Sequence, residues 1–226
     1  MKSKSVRENI RDNLAPGAAV ALGLRAHSGW AALVVVRGPA SSPVVIARQR
    51  IALADPQIPG SKQPYHAAEG RPLAKAEEYL NRCITHTQEL AREAVHEVVD
   101  HLRRRGHDLV GCGIITAAGR PLPRLAEILA SHPLLHTAEG ELYRNALIEA
   151  GEECGLPVRR VPERELFSLA VAELHMSAKK LRNRVTELGQ TIGPPWTQDE
   201  KYAALLAWML LAAASRQPAR SSERAK

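Results

Sequence analysis

Aromatic side chains are scarce in this chain: Phe, Trp and Tyr make up 4% of its residues, with a single Phe. A surface that reads single strands by stacking successive bases on aromatic platforms is therefore not expected, and Ala, Leu, Val and Ile have to fill most of the core. Cysteine is scarce too. Cys83, Cys112 and Cys154 lie far apart, without a Cys-x-x-Cys pair, which argues against a disulfide framework and for buried thiols in a reducing compartment. The amino terminus carries charges but no apolar h-region, so no signal peptide is read there. The most apolar run, Ala203–Ala214, is shorter than the ~20 residues that span a bilayer. A cytoplasmic protein without a membrane segment is expected.

What is present is an ordinary globular composition, 45% hydrophobic and 24% charged over 226 residues, enough for one large domain with extensions. The net charge is +7 and the isoelectric point about 9.6, which invites a nucleic-acid partner. Most of that charge sits in the ends. Met1–Gly17 carries Lys2, Lys4, Arg7 and Arg11, and Ser215–Lys226 carries Arg216, Arg220, Arg224 and Lys226. These are read as a flexible basic arm over residues 1–17 and a disordered basic tail over residues 215–226, flanking a domain over residues 18–214.

Along the chain, Ala18–Leu24 and Trp30–Arg37 are Val/Leu-rich and flank a turn at Ser28-Gly29, and Val44–Leu53 resumes after a Gly/Pro/Ser cluster. Three strands in an antiparallel meander are predicted. Asp55–Pro72, rich in Pro and Gly, reads as a long functional or mobile loop bearing Lys62, Tyr65, His66 and Glu69. The three-and-four spacing of apolar residues predicts a helix over Leu73–Arg105, stopped by Gly106, with Arg103–Arg105 at its negative dipole end. Leu109–Thr116 reads as a buried strand, Pro121–Ser131 as a short helix, and Thr137 as the cap of a helix Ala138–Cys154. A strand Leu156–Val161 and a helix Pro162–His175 follow. Ser177 is placed to cap Ala178–Leu188, and Thr197 with Glu200 forms a capping box for Gln198–Ala214, a helix apolar nearly all round and hence buried. The order βββ-α-β-α-β-α predicts an α/β fold: a mixed sheet of an antiparallel three-strand meander plus two parallel strands, flanked by helices.

Three stretches resemble motifs of the ribonuclease H-like superfamily in its RuvC-type resolvase branch. Leu22-Gly23-Leu24-Arg25-Ala26-His27-Ser28-Gly29-Trp30 resembles the opening strand-turn. Ser177-Ala178-Lys179-Lys180-Leu181-Arg182-Asn183-Arg184-Val185 resembles the basic helix before the last element. Asp199 followed by Ala203-Ala204-Leu205-Leu206-Ala207 resembles the final helix.

The resemblance implies acids from the first strand, the end of the fourth strand and the last helix converging on two Mg²⁺ or Mn²⁺ ions, which activate water and neutralise the leaving oxygen of a phosphodiester. This chain departs from that pattern. Arg25 stands at the first-strand position, and Ile115-Thr116-Ala117-Ala118-Gly119 ends the fourth strand without an acid. Asp199 alone matches in type, as the candidate catalytic and metal-binding residue, and one carboxylate does not hold two ions.

The implied protein is a ribonuclease H-like domain that has lost two-metal activity and binds structured DNA or RNA or serves as an interaction module. Lys179, Lys180, Arg182, Arg184 and Arg25 are its candidate nucleic-acid-binding residues. The alternative is an active Mg²⁺- or Mn²⁺-dependent nuclease with a rebuilt acidic site, Asp199 with Glu139 or Glu141, near His132 and His136. Against it, Glu139 and Glu141 read first as the commonplace first-turn acids that answer a helix dipole. His27 reads as a turn residue. Family analogy alone suggests a homodimer. An actin-like kinase fold shares the opening meander, but it needs two such domains and an acid where Arg25 stands.

Overall fold

The computed structural model describes residues 17–117 and 121–216. The expected basic arm, up to residue 16, and the tail beyond residue 216 lie outside them. Within them the meander forms as predicted: β1 (Ala19–His27), β2 (Trp30–Arg37) and β3 (Val44–Ala52) run antiparallel. β4 (Asp108–Thr116) joins β1 in parallel, and β5 (Val158–Pro162) joins β4 in parallel. The sheet order is β3-β2-β1-β4-β5. The carboxyl ends of β1, β4 and β5 therefore share one edge, where α/β sheets build their sites.

Helices cover both faces, which is why the inner strands read as near-continuous apolar runs. On one face α2 (Leu73–Arg104) and α4 (His132–Glu153) pack over Val20, Leu22 and Leu24 of β1. On the other, α7 (Gln198–Arg216), flanked by α5 (Glu163–Glu173) and α6 (Ala178–Leu188), packs over Ala21. Alternation along the strand puts Gly23 and Arg25 on this second face with Ala21. As expected from its sequence, α7 is buried continuously from Ala203 to Ala212. The Trp208 indole, fully buried, donates to the Ala40 carbonyl oxygen at 2.8 Å.

Two glycines allow α7 to lie close on the sheet. Gly23 and Gly113 are register partners on β1 and β4. A Cβ on Gly23 would sit 1.9 Å from the Ala203 carbonyl oxygen, and one on Gly113 would sit 2.5 Å from Leu206 Cγ. Ala203 is one turn beyond Asp199, and Gly23 is two residues before Arg25. The same close approach therefore aims Asp199 at Arg25.

The Ser177 cap and the Glu200 half of the Thr197 box form as expected, while the Thr197 hydroxyl meets an amide one residue earlier than a capping box requires. Ser177 Oγ accepts the Lys180 amide at 3.3 Å. Glu200 takes the Thr197 amide at 2.8 Å, while the Thr197 hydroxyl oxygen accepts the amide of Asp199, two residues on, at 3.3 Å.

Two expectations are corrected. Asp55–Pro72 is not a plain loop: it contains α1 (Pro64–Ala68). It is also tied down, since the Tyr79 hydroxyl donates to the Pro59 carbonyl and the Tyr143 hydroxyl to the Ser61 carbonyl, both at 2.7 Å. Thr137 does not cap a helix. α4 opens at His132 behind Ser131, with Pro133 in its first turn, where a missing amide costs nothing. The Thr137 hydroxyl instead donates back to the Pro133 carbonyl. Glu139 and Glu141 are thus interior helix positions rather than first-turn acids. The short helix α3 is Leu125–Leu129.

Candidate functional site

Arg25 is the centre of the shared edge. Its guanidinium meets both carboxylate oxygens of Glu163 at 2.9 Å each and pairs with Asp199 Oδ1. The same Asp199 oxygen lies 2.9 Å from His27 Nε2, a contact that places the proton on Nε2 of the ring. Tyr202, one turn along α7 from Asp199, has its ring centre 5.2 Å from the guanidinium carbon. The Arg25 side chain is 16% exposed and that of Asp199 21%, against 45% for Glu163. Two carboxylates thus converge on one fixed cation, contributed by the strand position where the family resemblance expects an acid. Guanidinium suits this place because it is always charged and its separate nitrogens serve two carboxylates at once, Nη2 meeting both Glu163 oxygens and Nη1 meeting Asp199.

Glu163 arrives through topology. It opens α5 directly after Pro162 ends β5, and Pro162 is the register partner of Thr116 at the end of β4. An acid in the first turn of a helix that follows a parallel strand projects at the carboxyl edge of the sheet. Reading the sequence for motifs passes over it, although Pro162-Glu163 marks such a helix start. Thr116 is the last strand residue of β4 and brings no carboxylate.

A basic and aromatic groove adjoins this edge through Tyr202. A groove of about 480 Å³ lies between α5, α6 and α7, lined by Phe167, Arg182, Lys201 and Tyr202 among others. Tyr202 thereby joins the groove to Arg25. Arg182 sits over the Phe167 ring at 4.9 Å. A second groove, of about 310 Å³, is lined by Lys179, Lys180, Asn183 and Arg184. Lys179, Lys180 and Arg182 are exposed, while Arg184 is half-buried and bonded to Glu187 at 2.9 Å.

Beside the β1–β2 turn, where Gly29 takes φ +77°, His27 and Trp30 face each other as the closing pair and stack with ring centres 4.4 Å apart. Arg50, a diagonal cross-strand neighbour, lies 3.7 Å from the Trp30 ring centre. A groove of about 550 Å³ runs past Trp30, Arg50 and Lys62. The Trp30 ring is thus covered by His27 on one side and Arg50 on the other.

The remaining predicted residues lie elsewhere. Glu139 is 2% exposed and bonds the Nδ1 of His66 at 2.8 Å and its amide at 3.2 Å. Burial, and after it the Glu139 charge, raise the Tyr65 phenol above its ordinary pKa. Glu141 pairs with Arg144 at 2.8 Å. Glu139 and Glu141 belong to α4, on the opposite helical layer from α7. Their polar partners differ from those of Asp199, so the structure does not bring the three acids together.

No protein-family model and no curated protein sequence matches this chain. Solved structures do. The structure of RuvC from Thermus thermophilus is similar over 87% of this chain and 95% of that one, at 15% identity and a TM-score of 0.50. T. thermophilus RuvC in complex with a Holliday junction substrate is similar over the same shares, at 16% identity and a TM-score of 0.48. The opening hairpin, the strand order and the buried last helix thus belong together as the ribonuclease H-like fold in its RuvC-type form.

Proposed function

We propose that this domain binds structured nucleic acid without cleaving it at the RuvC-type position, because an internal cation has taken the place of the metal ions. The observation that carries this reading is the Arg25 guanidinium held by Glu163 and Asp199. In-line displacement at phosphorus uses cations that coordinate the attacking and leaving oxygens. A guanidinium donates hydrogen bonds but offers no coordination site, and it does not lower the pKa of a bound water as a metal does. With Asp199 and Glu163 committed to Arg25, the edge keeps the fold's shape and loses the acids a metal pair requires.

Binding is supported by what surrounds that edge. The groove beside Tyr202 carries Arg182 and Lys201, and the exposed Lys179 and Lys180 continue the basic surface along α6. Arg25 itself acts in this reading as an internal tie and not as a phosphate contact, since its donors are turned onto carboxylates. A rebuilt acidic site of Asp199 with Glu139 or Glu141 has no comparable support.

The test is fluorescence anisotropy with four-way and linear DNA and RNA at two salt concentrations, alongside cleavage assays in Mg²⁺ and Mn²⁺. Salt-dependent binding of the branched form with no cleavage is expected. Cleavage that disappears in Asp199→Asn would overturn the loss of activity, and salt-independent or absent binding would overturn the nucleic-acid partner.

A further inference from the structure

We propose that His66, His132 and His136 form a binding site for a divalent transition metal ion, zinc foremost, with Glu139 as the outer partner that orients His66. The inference stands apart from the nucleic-acid reading, because it uses other residues on the opposite helical layer.

One ring nitrogen from each of the three histidines lies within 4.8 Å of the others. His132 and His136 are one turn apart in the first half of α4, and their Nε2 atoms are 3.1 Å apart. Two ligand nitrogens at 2.0–2.1 Å from a tetrahedral ion stand roughly 3.3 Å apart, so the pair is already near ligand spacing. His66 comes from α1, and its ring centre lies 5.2 Å from that of His132 and 4.5 Å from that of His136. Three imidazoles meeting this closely gain little from one another without a cation. A hydrogen bond between the two Nε2 atoms satisfies one proton at most, and protonated rings would repel.

Glu139 is the second, independent observation. Its carboxylate is almost fully buried and bonds His66 Nδ1 at 2.8 Å. That fixes the proton on Nδ1 and leaves Nε2 with its lone pair free for an ion, the carboxylate–histidine–metal arrangement that raises ligand basicity. A buried carboxylate needs compensating positive charge. Its direct partners within hydrogen-bond reach are an imidazole and the His66 amide, and a metal on the far side of His66 would supply that charge. The hard ions Mg²⁺ and Ca²⁺ prefer oxygen, whereas imidazole suits zinc, copper, nickel and cobalt.

His132 and His136 are exposed. The ion would therefore keep a solvent-facing fourth position for water, as in open zinc sites. It would also staple α1, and the segment that carries it, to α4.

The test uses the full chain without a histidine tag. Titration with Co²⁺ should show one equivalent per chain with visible ligand-field absorption, displaced by Zn²⁺, and Zn²⁺ should raise the melting temperature. The double variant His132→Gln/His136→Gln changes only exposed side chains and should keep its fold by circular dichroism. It should bind at least 100-fold more weakly and lose the thermal shift. Glu139→Gln should weaken binding about 10- to 100-fold, and the exposed control His175→Asn should bind as the wild type does. No stoichiometric uptake by the wild type, or a loss below tenfold in the double variant, would overturn the site. Unchanged affinity in Glu139→Gln would overturn the role given to that carboxylate.

Discussion

The Arg25 network and the His66–His132–His136 cluster lie on opposite helical layers of one sheet and solve the same problem in different ways. Each gathers carboxylate and nitrogen groups from distant parts of the chain. At Arg25 the chain supplies its own cation, a guanidinium that no accessible pH discharges, and the carboxylates of Asp199 and Glu163 are satisfied internally. At His66 the nitrogen groups are imidazoles, and the side chain that bonds the buried Glu139 is one of them. A carboxylate pair already held by a permanent cation has less to gain from a metal ion than a buried carboxylate bonded to an imidazole.

The largest effect expected is on the scaffold that holds the two regions apart. Gly23→Ala drives a methyl group into the Ala203 carbonyl. Backbone has to move, and a loss of about 3 kcal/mol or more in urea unfolding is expected. The variant should separate the regions: it displaces α7 and Asp199 from Arg25 while metal uptake at the histidines persists. Next comes R25D, which leaves three carboxylates facing one another. Loss of the charged hydrogen bonds should cost about 2–3 kcal/mol, and Mn²⁺ should restore part of the melting temperature in R25D but not in the wild type. Absence of any Mn²⁺ effect in R25D would show that the edge no longer has the geometry of a metal centre.

Smaller effects lie outside both regions. Lys179→Ala with Lys180→Ala should leave stability within about 0.5 kcal/mol. It should lower the slope of log affinity against log salt for duplex arms by about 2. The smallest is on acid stability. Hydrogen bonds from Arg159 hold the Glu173 carboxyl below its ordinary pKa, so the pair stabilises the fold above the unfolded carboxyl value, near 4.3. That contribution disappears as pH falls through the lower folded value. Arg159→Met should therefore flatten the acid limb of stability by under about 1 kcal/mol, marking the size of an ordinary ion pair against which the Arg25 network is judged.

Much of this was legible in the residues. The Val/Leu runs broken at Ser28-Gly29 and Gly38-Pro39, the Ser177 and Thr197 caps and the all-round apolar last helix are local signals, and the elements they predict formed within a few residues of the predicted bounds. Arg25 was visible as an intruder, and Asp199 as the matching acid. Their meeting with Glu163 was not, because that contact spans 138 residues and depends on β5 lying parallel beside β4. His66 was one polar residue in a Pro-rich segment, and His132 and His136 preceded the expected helix start at Thr137. Once Pro133 opens the helix earlier, both histidines lie on its first turns, and α1 brings His66 across to them.

In the proposed function the Arg25 guanidinium stands where metal ions would act. The most direct test is cleavage of a four-way DNA junction in Mn²⁺ by the wild-type chain beside Asp199→Asn. An intact junction is expected with both proteins; cutting by the wild type that is lost in Asp199→Asn would show that metal ions still act there.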